Sequence, residues 1–179
     1  MPKSICLLLV ILFISCSSSR SGQSEKNTKP GEDYVYADFT GSLKAEKIAK
    51  LKDYYNWKEE EILIINYRQP LLDCHFNNHK ITSDSKKWWT EFYSKIDTDN
   101  SLNISVFADG EKIREKMDNR KFFDDKDDFL LNNFFIRKKS CFGIFVVNQQ
   151  GDYFQYNGHY SEKQVETFIM ELKGQRNRG

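Results

Sequence analysis

The chain has 179 residues, of which 27 are basic, 26 are acidic and 15% are aromatic. This near balance of charge argues against nucleic acid or an anionic surface as a partner through bulk charge. The sequence also contains no phosphate-binding glycine loop, no Walker motif and no Ser-His-Asp order. Its aromatic residues are numerous enough to supply a hydrophobic core.

Residues 1–16 have the pattern of a targeting segment. Lys3 supplies a positive start, and the apolar run at 5–14 is too short to span a bilayer. Small Ser15 then precedes Cys16, and this arrangement resembles a bacterial lipoprotein signal, in which cleavage leaves the cysteine as the lipid-bearing N-terminus. Phe13 stands where that pattern prefers leucine. The alternative is an ordinary secretory signal that is cut nearby, with Cys16 incidental.

The lipoprotein resemblance implies a palmitate-bearing Cys16 and a protein tethered to the bacterial cell envelope on its periplasmic face. Ser17 after the cysteine resembles outer-membrane sorting, which favours the outer membrane over the inner one. Loss of residues 1–16 removes one basic residue, Lys3, and no acidic residue, so the mature chain has 26 of each and is formally neutral. Residues 17–33 are rich in Ser, Gly and Lys, and they predict a flexible tether.

The hydrophobic patterns predict ten elements after the tether. In chain order these are a strand at 34–39, a helix capped by Ser42 and running to 57, a strand at 62–67, a helix at 83–96, a strand at 102–108, a helical segment at 109–117, a short helix at 127–135, two strands at 142–147 and 152–156, and a final helix capped by Ser161.

The strand at 62–67 is apolar on both faces, which indicates a central strand covered from both sides. Alternation of strands and helices predicts parallel crossovers, and the closing hairpin adds antiparallel strands. We therefore expect one α/β domain over residues 34–174, with a mixed sheet flanked by helices. Residues 175–179 are expected to form a disordered tail.

Three local patterns resemble the thioredoxin superfamily, and in particular its membrane-anchored thiol-disulfide oxidoreductases. The first is the apolar strand that ends in Asn66-Tyr67 before a cysteine-bearing loop. The others are the strand at 142–148 with its Asn-x-x-Gly turn, and the amphipathic helix after Gly158. The resemblance covers roughly residues 60–173 and implies a thioredoxin-like sheet.

The chain departs from that family at its active site. The family has a Cys-x-x-Cys pair, whereas Cys74 stands alone, with Leu71 three residues before it and Asn77 three residues after it. The family also has a cis-proline before its third strand, but this chain has no proline after Pro70. Cys141 stands near that position, so the resemblance implies that Cys74 and Cys141 are neighbours and can bond.

A bridge between Cys74 and Cys141 would close 67 residues and stabilise the fold by roughly 4 kcal/mol from loop-closure entropy. Such a bridge could be a permanent staple. It could also be redox-active, because a thiolate near a helix N-terminus, with Arg68 and His75 close in sequence, would be activated. A third alternative is that the two cysteines are separate buried thiols.

The function expected from these features is that of a binding or envelope-assembly module, without a cofactor or metal, that acts on an unknown protein partner. The alternative is a thiol-disulfide oxidoreductase, or a redox-responsive protein, that uses Cys74 with Cys141. The missing second cysteine of the motif favours the binding module, and the surviving Cys74 at the start of a helix favours the oxidoreductase. Whether the protein is an enzyme stays open, with the non-enzyme favoured.

Other candidate sites are weaker. The cluster Asp73, Cys74, His75 and His79 has side chains of the types that bind metals, but the segment is expected to be a loop whose histidines are solvated. A peroxidatic cysteine would need Thr or Ser where Leu71 stands. The acidic run at 124–128 lacks calcium-loop spacing and is expected to mark a helix start. Trp88-Trp89 is expected to belong to the core, with one ring of the pair partly exposed and a ligand groove as the alternative.

Overall fold

The computed structural model describes residues 36–69, 83–109, 122–136 and 140–175. Its strands and helices follow one another in this order: β1 (Phe39–Ser42), α1 (Ala45–Tyr55), β2 (Ile62–Arg68), α2 (Ser83–Tyr93), β3 (Ser101–Phe107), β4 (Phe123–Asp124), a 3-10 turn (Lys126–Asp128), α3 (Phe129–Asn133), β5 (Phe142–Asn148), β6 (Asp152–Tyr156) and α4 (Glu162–Gln175). Cys16, the tether, Cys74 and most of the tail lie outside the described residues, as does all but the first residue of the helical segment predicted at 109–117.

The six strands form one mixed sheet in the order β1-β6-β5-β2-β3-β4. Strands β2, β3 and β4 are parallel to one another, whereas β5 runs antiparallel to β2, β6 to β5, and β1 to β6. This is a single mixed α/β domain, as predicted, and its sheet is consistent with a thioredoxin-like arrangement.

Strand β2 lies at the centre of the sheet and is buried along its whole length. Its side chains alternate between the two faces, because successive residues of a strand point in opposite directions. Leu63, Ile65 and Tyr67 pack with α1 and α3, on what we call the α1 face. Ile62 and Ile64 pack with α2 and α4, on what we call the α4 face. The prediction of a doubly covered strand is confirmed.

The turn between β5 and β6 is stabilised by its own glycine and asparagine. Gly151 adopts a left-handed φ of 94°, which is available to glycine at low cost, and its N–H donates to the Asn148 carbonyl at 3.0 Å. The Asn148 side-chain oxygen accepts hydrogen bonds from the N–H groups of Gln150 and Asp152 at 3.1 and 2.9 Å. The predicted Asn-x-x-Gly turn is therefore held by its own asparagine.

The final helix also follows the sequence pattern. The Ser161 hydroxyl accepts a hydrogen bond from the Gln164 N–H at 3.3 Å, as expected of an N-cap. The predicted inward face is confirmed, because all four of its apolar side chains are buried. They are Val165, Phe168, Ile169 and Leu172.

Three predicted boundaries are wrong. Strand β1 begins at Phe39, which was predicted to be its last residue, because its pairing with β6 through Gly41 and Tyr153 sets its register. Ser42 therefore ends this strand, and the N-cap of α1 is Lys44, without a side-chain cap bond. The helix predicted at 127–135 is reduced to α3, because Asp127 and Asp128 adopt left-handed φ values of 56° and 50°.

Among the described residues, no helix combines the length and apolar content that a membrane crossing requires.

Candidate functional site

The carboxyl end of β2 meets the segment that contains Cys141. The Gln69 N–H donates a hydrogen bond to the Cys141 carbonyl at 3.0 Å. Cys141 is disulfide-bonded, and since it is the sole cysteine of the described residues, its partner lies outside them. Cys74 also lies outside the described residues, so its pairing with Cys141 stays a prediction. Gln69 precedes Cys74 by only five positions, which agrees with that pairing.

Arg68 ends β2 on the α4 face, and its side chain is almost completely buried, with 5% of the residue exposed. Its guanidinium carbon lies 4.5 Å from the ring centroid of Trp89 and 4.4 Å from that of Phe142. Phe142 is directly opposite Arg68 in the pairing of β2 with β5. These two cation–π contacts hold the guanidinium in place at the end of the sheet.

The charge of Arg68 is not neutralised by a carboxylate within the part of the chain that the structure describes. None of the ion pairs there includes it. Its Nη1 is buried and has no hydrogen-bond partner among those residues. Burial lowers the pKa of Arg68, while Tyr160 and Tyr93 act in the opposite direction. A guanidinium nevertheless remains protonated in proteins, so this is a buried cation with unused hydrogen-bonding capacity.

Asn66 organises the polar groups beside Arg68 on the same face of β2. Its side-chain oxygen accepts hydrogen bonds from the hydroxyls of Tyr93, at 2.5 Å, and Tyr160, at 2.7 Å. Its amide nitrogen donates to the Asn103 side chain at 2.7 Å and to the Ile104 carbonyl at 2.9 Å. One asparagine thus links the end of α2, the segment before α4 and strand β3.

Both tyrosine hydroxyls of this network stay protonated at neutral pH. Burial raises the pKa of Tyr160 to about 12, and burial likewise raises the pKa of Tyr93 well above its ordinary value. Each hydroxyl therefore keeps the proton that it donates to Asn66.

Trp88 and Trp89 have different surroundings. Trp88 is 52% exposed, which confirms that one ring of the pair faces solvent. Trp89 is partly buried against the α4-face core and contacts both Arg68 and the Tyr93 ring, whose centroid is 5.9 Å away. Trp89 therefore forms part of the wall around the guanidinium.

A second buried charge, Asp125, lies on the α1 face. Its carboxylate accepts hydrogen bonds from the hydroxyls of Tyr67 and Tyr55, at 3.0 and 3.4 Å. It also accepts the backbone N–H groups of Leu130 and Leu131, at 2.7 and 2.8 Å. Burial raises the pKa of Asp125, and the hydrogen bonds oppose that rise. The four donors match the acceptor capacity of a carboxylate, so Asp125 holds the first turn of α3.

The rest of the acidic run does not converge on one point. Asp124 is exposed at the end of β4, and Asp127 accepts a hydrogen bond from the Tyr54 hydroxyl at 2.7 Å. No group of three metal-ligand side chains occurs among the described residues. The metal-ligand types at 73–79 lie outside those residues. The acidic run precedes α3, and Asp125 accepts hydrogen bonds from the first turn of that helix, which agrees with the predicted role at a helix start.

Cys141 was identified from the sequence as a candidate site residue, but Asn66, and Arg68 with its aromatic contacts, were not identified as a site. A signal was present, because Asn66 and Arg68 are polar residues two apart on one face of a strand that is otherwise apolar. Polar groups on a buried strand need hydrogen-bond partners, so such a pair marks either an internal network or a ligand site.

The site lies where parallel strands β2 and β3 both end, and ligands of open α/β sheets bind outside the carboxyl ends of such strands. It combines a fixed cation, aromatic walls and a disulfide-bonded cysteine. This set of groups can bind an anionic group. No protein-family model matches the chain, and no curated protein matches it. The chemistry of the site therefore follows from its own residues.

Proposed function

We propose that the chain is a lipid-anchored protein of the bacterial cell envelope whose folded domain is a binding module with a divergent thioredoxin-like arrangement. The observation that carries the binding role is Arg68. Among the described residues, Arg68 is a buried cation that has no ion pair and whose Nη1 has no hydrogen bond, and such a group costs stability. Proteins retain such costs at sites that bind ligands.

The proposed role of the disulfide is to fasten the segment after β2 to the start of β5. The hydrogen bond between the Gln69 N–H and the Cys141 carbonyl supports this role, because it brings the two backbone segments together beside the bridge. Cys74 is the partner that we propose for Cys141. A bridge between them would hold the backbone segment that follows Arg68 in one conformation.

A thiol-disulfide oxidoreductase is the second candidate. It is favoured by the position of the disulfide-bonded Cys141 at the carboxyl end of the central strand, in a sheet that is consistent with a thioredoxin-like arrangement. This function requires Cys74 and Cys141 to cycle between a dithiol and a disulfide while a second protein disulfide is oxidised or reduced in exchange.

The thiol state of the protein separates the two candidates. The full chain is alkylated before and after treatment with reductants of increasing strength, and its intact mass counts the thiols that become accessible. We expect Cys74 and Cys141 to stay protected until a strong reductant is used, and we expect no turnover of a simple disulfide such as that of insulin. Opening at mild potential, together with turnover that Cys74→Ser abolishes, would establish the oxidoreductase instead.

The anchor is tested by lipid labelling in a bacterial host. We expect radiolabelled palmitate to be incorporated into the full chain and to fractionate with the envelope, with the outer membrane favoured over the inner one. Cys16→Ser should abolish the label. Cys6→Ser is the matched control, because Cys6 lies in the apolar part of the targeting segment and should leave labelling intact. Label that persists in Cys16→Ser would contradict the anchor.

A further inference from the structure

We propose that Arg68 binds the carboxylate of a small ligand at the carboxyl end of β2. This inference rests on the proposed binding function and names the class of ligand. Its starting point is the buried guanidinium, whose Nη1 has no hydrogen-bond partner within the described residues. A carboxylate supplies the acceptors that this nitrogen lacks.

The charge of the site selects a monoanion. Arg68 carries one positive charge, and no lysine or other arginine among the described residues lies over the ring of Trp89 or Phe142. The imidazole of His159 packs on Phe142, with ring centroids 4.7 Å apart. One carboxylate neutralises one guanidinium, whereas a phosphate dianion would leave a negative charge in a buried position. Uncompensated charge in a low-dielectric site is costly, so the carboxylate is favoured.

The guanidinium is fixed before the ligand arrives. Contacts with the rings of Trp89 and Phe142 restrict its rotation, and a planar guanidinium matches a carboxylate through two parallel hydrogen bonds. Fixing a flexible side chain in advance lowers the entropy lost on binding. The same aromatic rings offer apolar surface to the part of the ligand that carries the carboxylate.

The neighbouring tyrosines do not compete for the anion. The hydroxyl protons of Tyr93 and Tyr160 are both donated to the Asn66 side-chain oxygen, so neither hydroxyl has a second proton for a ligand. Recognition of the negative charge therefore falls to Arg68. This provides a sharp internal control, because Tyr160→Phe should weaken the network but leave anion affinity within about twofold of the wild type.

The probe pair is N-acetylphenylalanine and its amide, which share an apolar body and differ in the carboxylate. The full chain, purified in detergent micelles, is titrated with each by calorimetry, and the indole N–H signal of Trp89 is followed by NMR. We expect the acid to bind and to shift that signal, and we expect the amide to bind at least tenfold more weakly. Phosphate should bind more weakly than the acid.

The variants locate the binding. Arg68→Met should lower affinity for the acid at least tenfold, and Arg68→Lys several-fold, because lysine retains the charge but loses the planar fork. Lys87→Met is the matched control, since it removes an exposed positive charge from the same helix that carries Trp89 and should leave affinity unchanged. Circular dichroism and thermal unfolding verify that each variant is folded.

Three outcomes would overturn the carboxylate site: no binding of the acid by the folded wild type, equal affinity for acid and amide, or affinity that Arg68→Met and Arg68→Lys both leave unchanged. Phosphate binding tighter than the acid would overturn the selection of a monoanion. Failure of the proposed function is a separate result. Turnover of insulin disulfides would contradict the binding module even if N-acetylphenylalanine still bound at Arg68.

Discussion

Two buried charges lie on opposite faces of the sheet, and their surroundings differ in one decisive respect. Asp125, on the α1 face, is 7% exposed and accepts four hydrogen bonds. Arg68, on the α4 face, is 5% exposed and has a nitrogen without a hydrogen-bond partner among the described residues. The two side chains are therefore buried to a similar extent, whereas only Asp125 has hydrogen-bond partners for all of its buried polar atoms among the described residues.

The number of hydrogen-bond partners distinguishes a buried charge that stabilises the fold from one that can bind a ligand. A buried charge whose acceptors are all used stabilises the groups around it, and its removal leaves several donors without partners. A buried charge that is held only by aromatic rings has capacity left for an external group. Asp125 therefore stabilises the fold around it, whereas Arg68 has hydrogen-bonding capacity left for the ligand that we propose.

Removal of the Asp125 carboxylate should have the largest effect. Asp125→Ala leaves the donors of Tyr55, Tyr67, Leu130 and Leu131 without their acceptor, and we expect the free energy of unfolding to fall by about 3 kcal/mol, measured by urea denaturation. Arg68→Met provides the contrast, because it removes a charge without breaking an ion pair. Its unfolding free energy should stay within about 1 kcal/mol of the wild type or rise. A larger loss for Arg68→Met than for Asp125→Ala would reverse the comparison.

A steric substitution tests the packing that supports Asp125. A Cβ on Gly143 would lie 2.3 Å from a ring carbon of Phe135, which stacks on Tyr67 with centroids 4.2 Å apart. Gly143→Ala should therefore displace both rings and lower the free energy of unfolding by about 2 kcal/mol. Gly174→Ala is the matched control, because its Cβ would have no neighbour within 4 Å, and helix propensity predicts a gain of about 0.5 kcal/mol. Similar changes for both variants would contradict this steric account.

Loss of one hydrogen bond from the Asn66 network of the α4 face is expected to have a smaller effect than loss of the Asp125 carboxylate. Tyr160→Phe removes one of the two hydroxyls that donate to the Asn66 oxygen and leaves the other in place. We expect the free energy of unfolding to fall by about 1 kcal/mol in chemical denaturation. Tyr156→Phe serves as the comparison, since its ring packs on the same face outside this network. The network has no stabilising role if the two variants unfold alike.

The pH dependence of stability provides the smallest expected effect. Because burial raises the folded-state pKa of Asp125 above its ordinary value of 3.8, its protonated form favours the folded state. That contribution is fully present below pH 3.8 and is lost as the pH rises through the folded-state pKa. The stability of the wild type relative to Asp125→Asn should therefore be greatest at low pH and decline above it. A difference that grows with pH in denaturant titrations would show that the hydrogen bonds outweigh burial.

Much of the fold was predictable because its periodic patterns are strong. The strand at 62–67 is apolar without interruption, and the final helix repeats its apolar residues with helical spacing, so both elements formed as expected. The boundaries of β1 and α3 were not predictable from local patterns. Pairing with β6 decides where β1 lies, and the left-handed conformations of Asp127 and Asp128 shorten α3.

The candidate site was predictable only in part. Cys141 was identified from the sequence, and its disulfide is present in the structure, while the pairing with Cys74 stays a prediction. The partners of Asn66 were not predictable, because Tyr93 and Tyr160 lie 27 and 94 residues away along the chain. Hydrogen bonds between residues so far apart in sequence form only once the helices have packed on a particular face of the sheet.

The sequence by itself determined the order of the described helices and of the strands other than β4, the central place of β2 and the apolar face of α4, because each depends on the spacing of side chains along one segment. Only the tertiary structure decided that the Asp125 carboxylate accepts four hydrogen bonds and that, among the described residues, Nη1 of Arg68 has no partner. The hydrogen-bond partners of a buried charge come from several elements at once, and their number is set by how the helices pack on the two faces of the sheet.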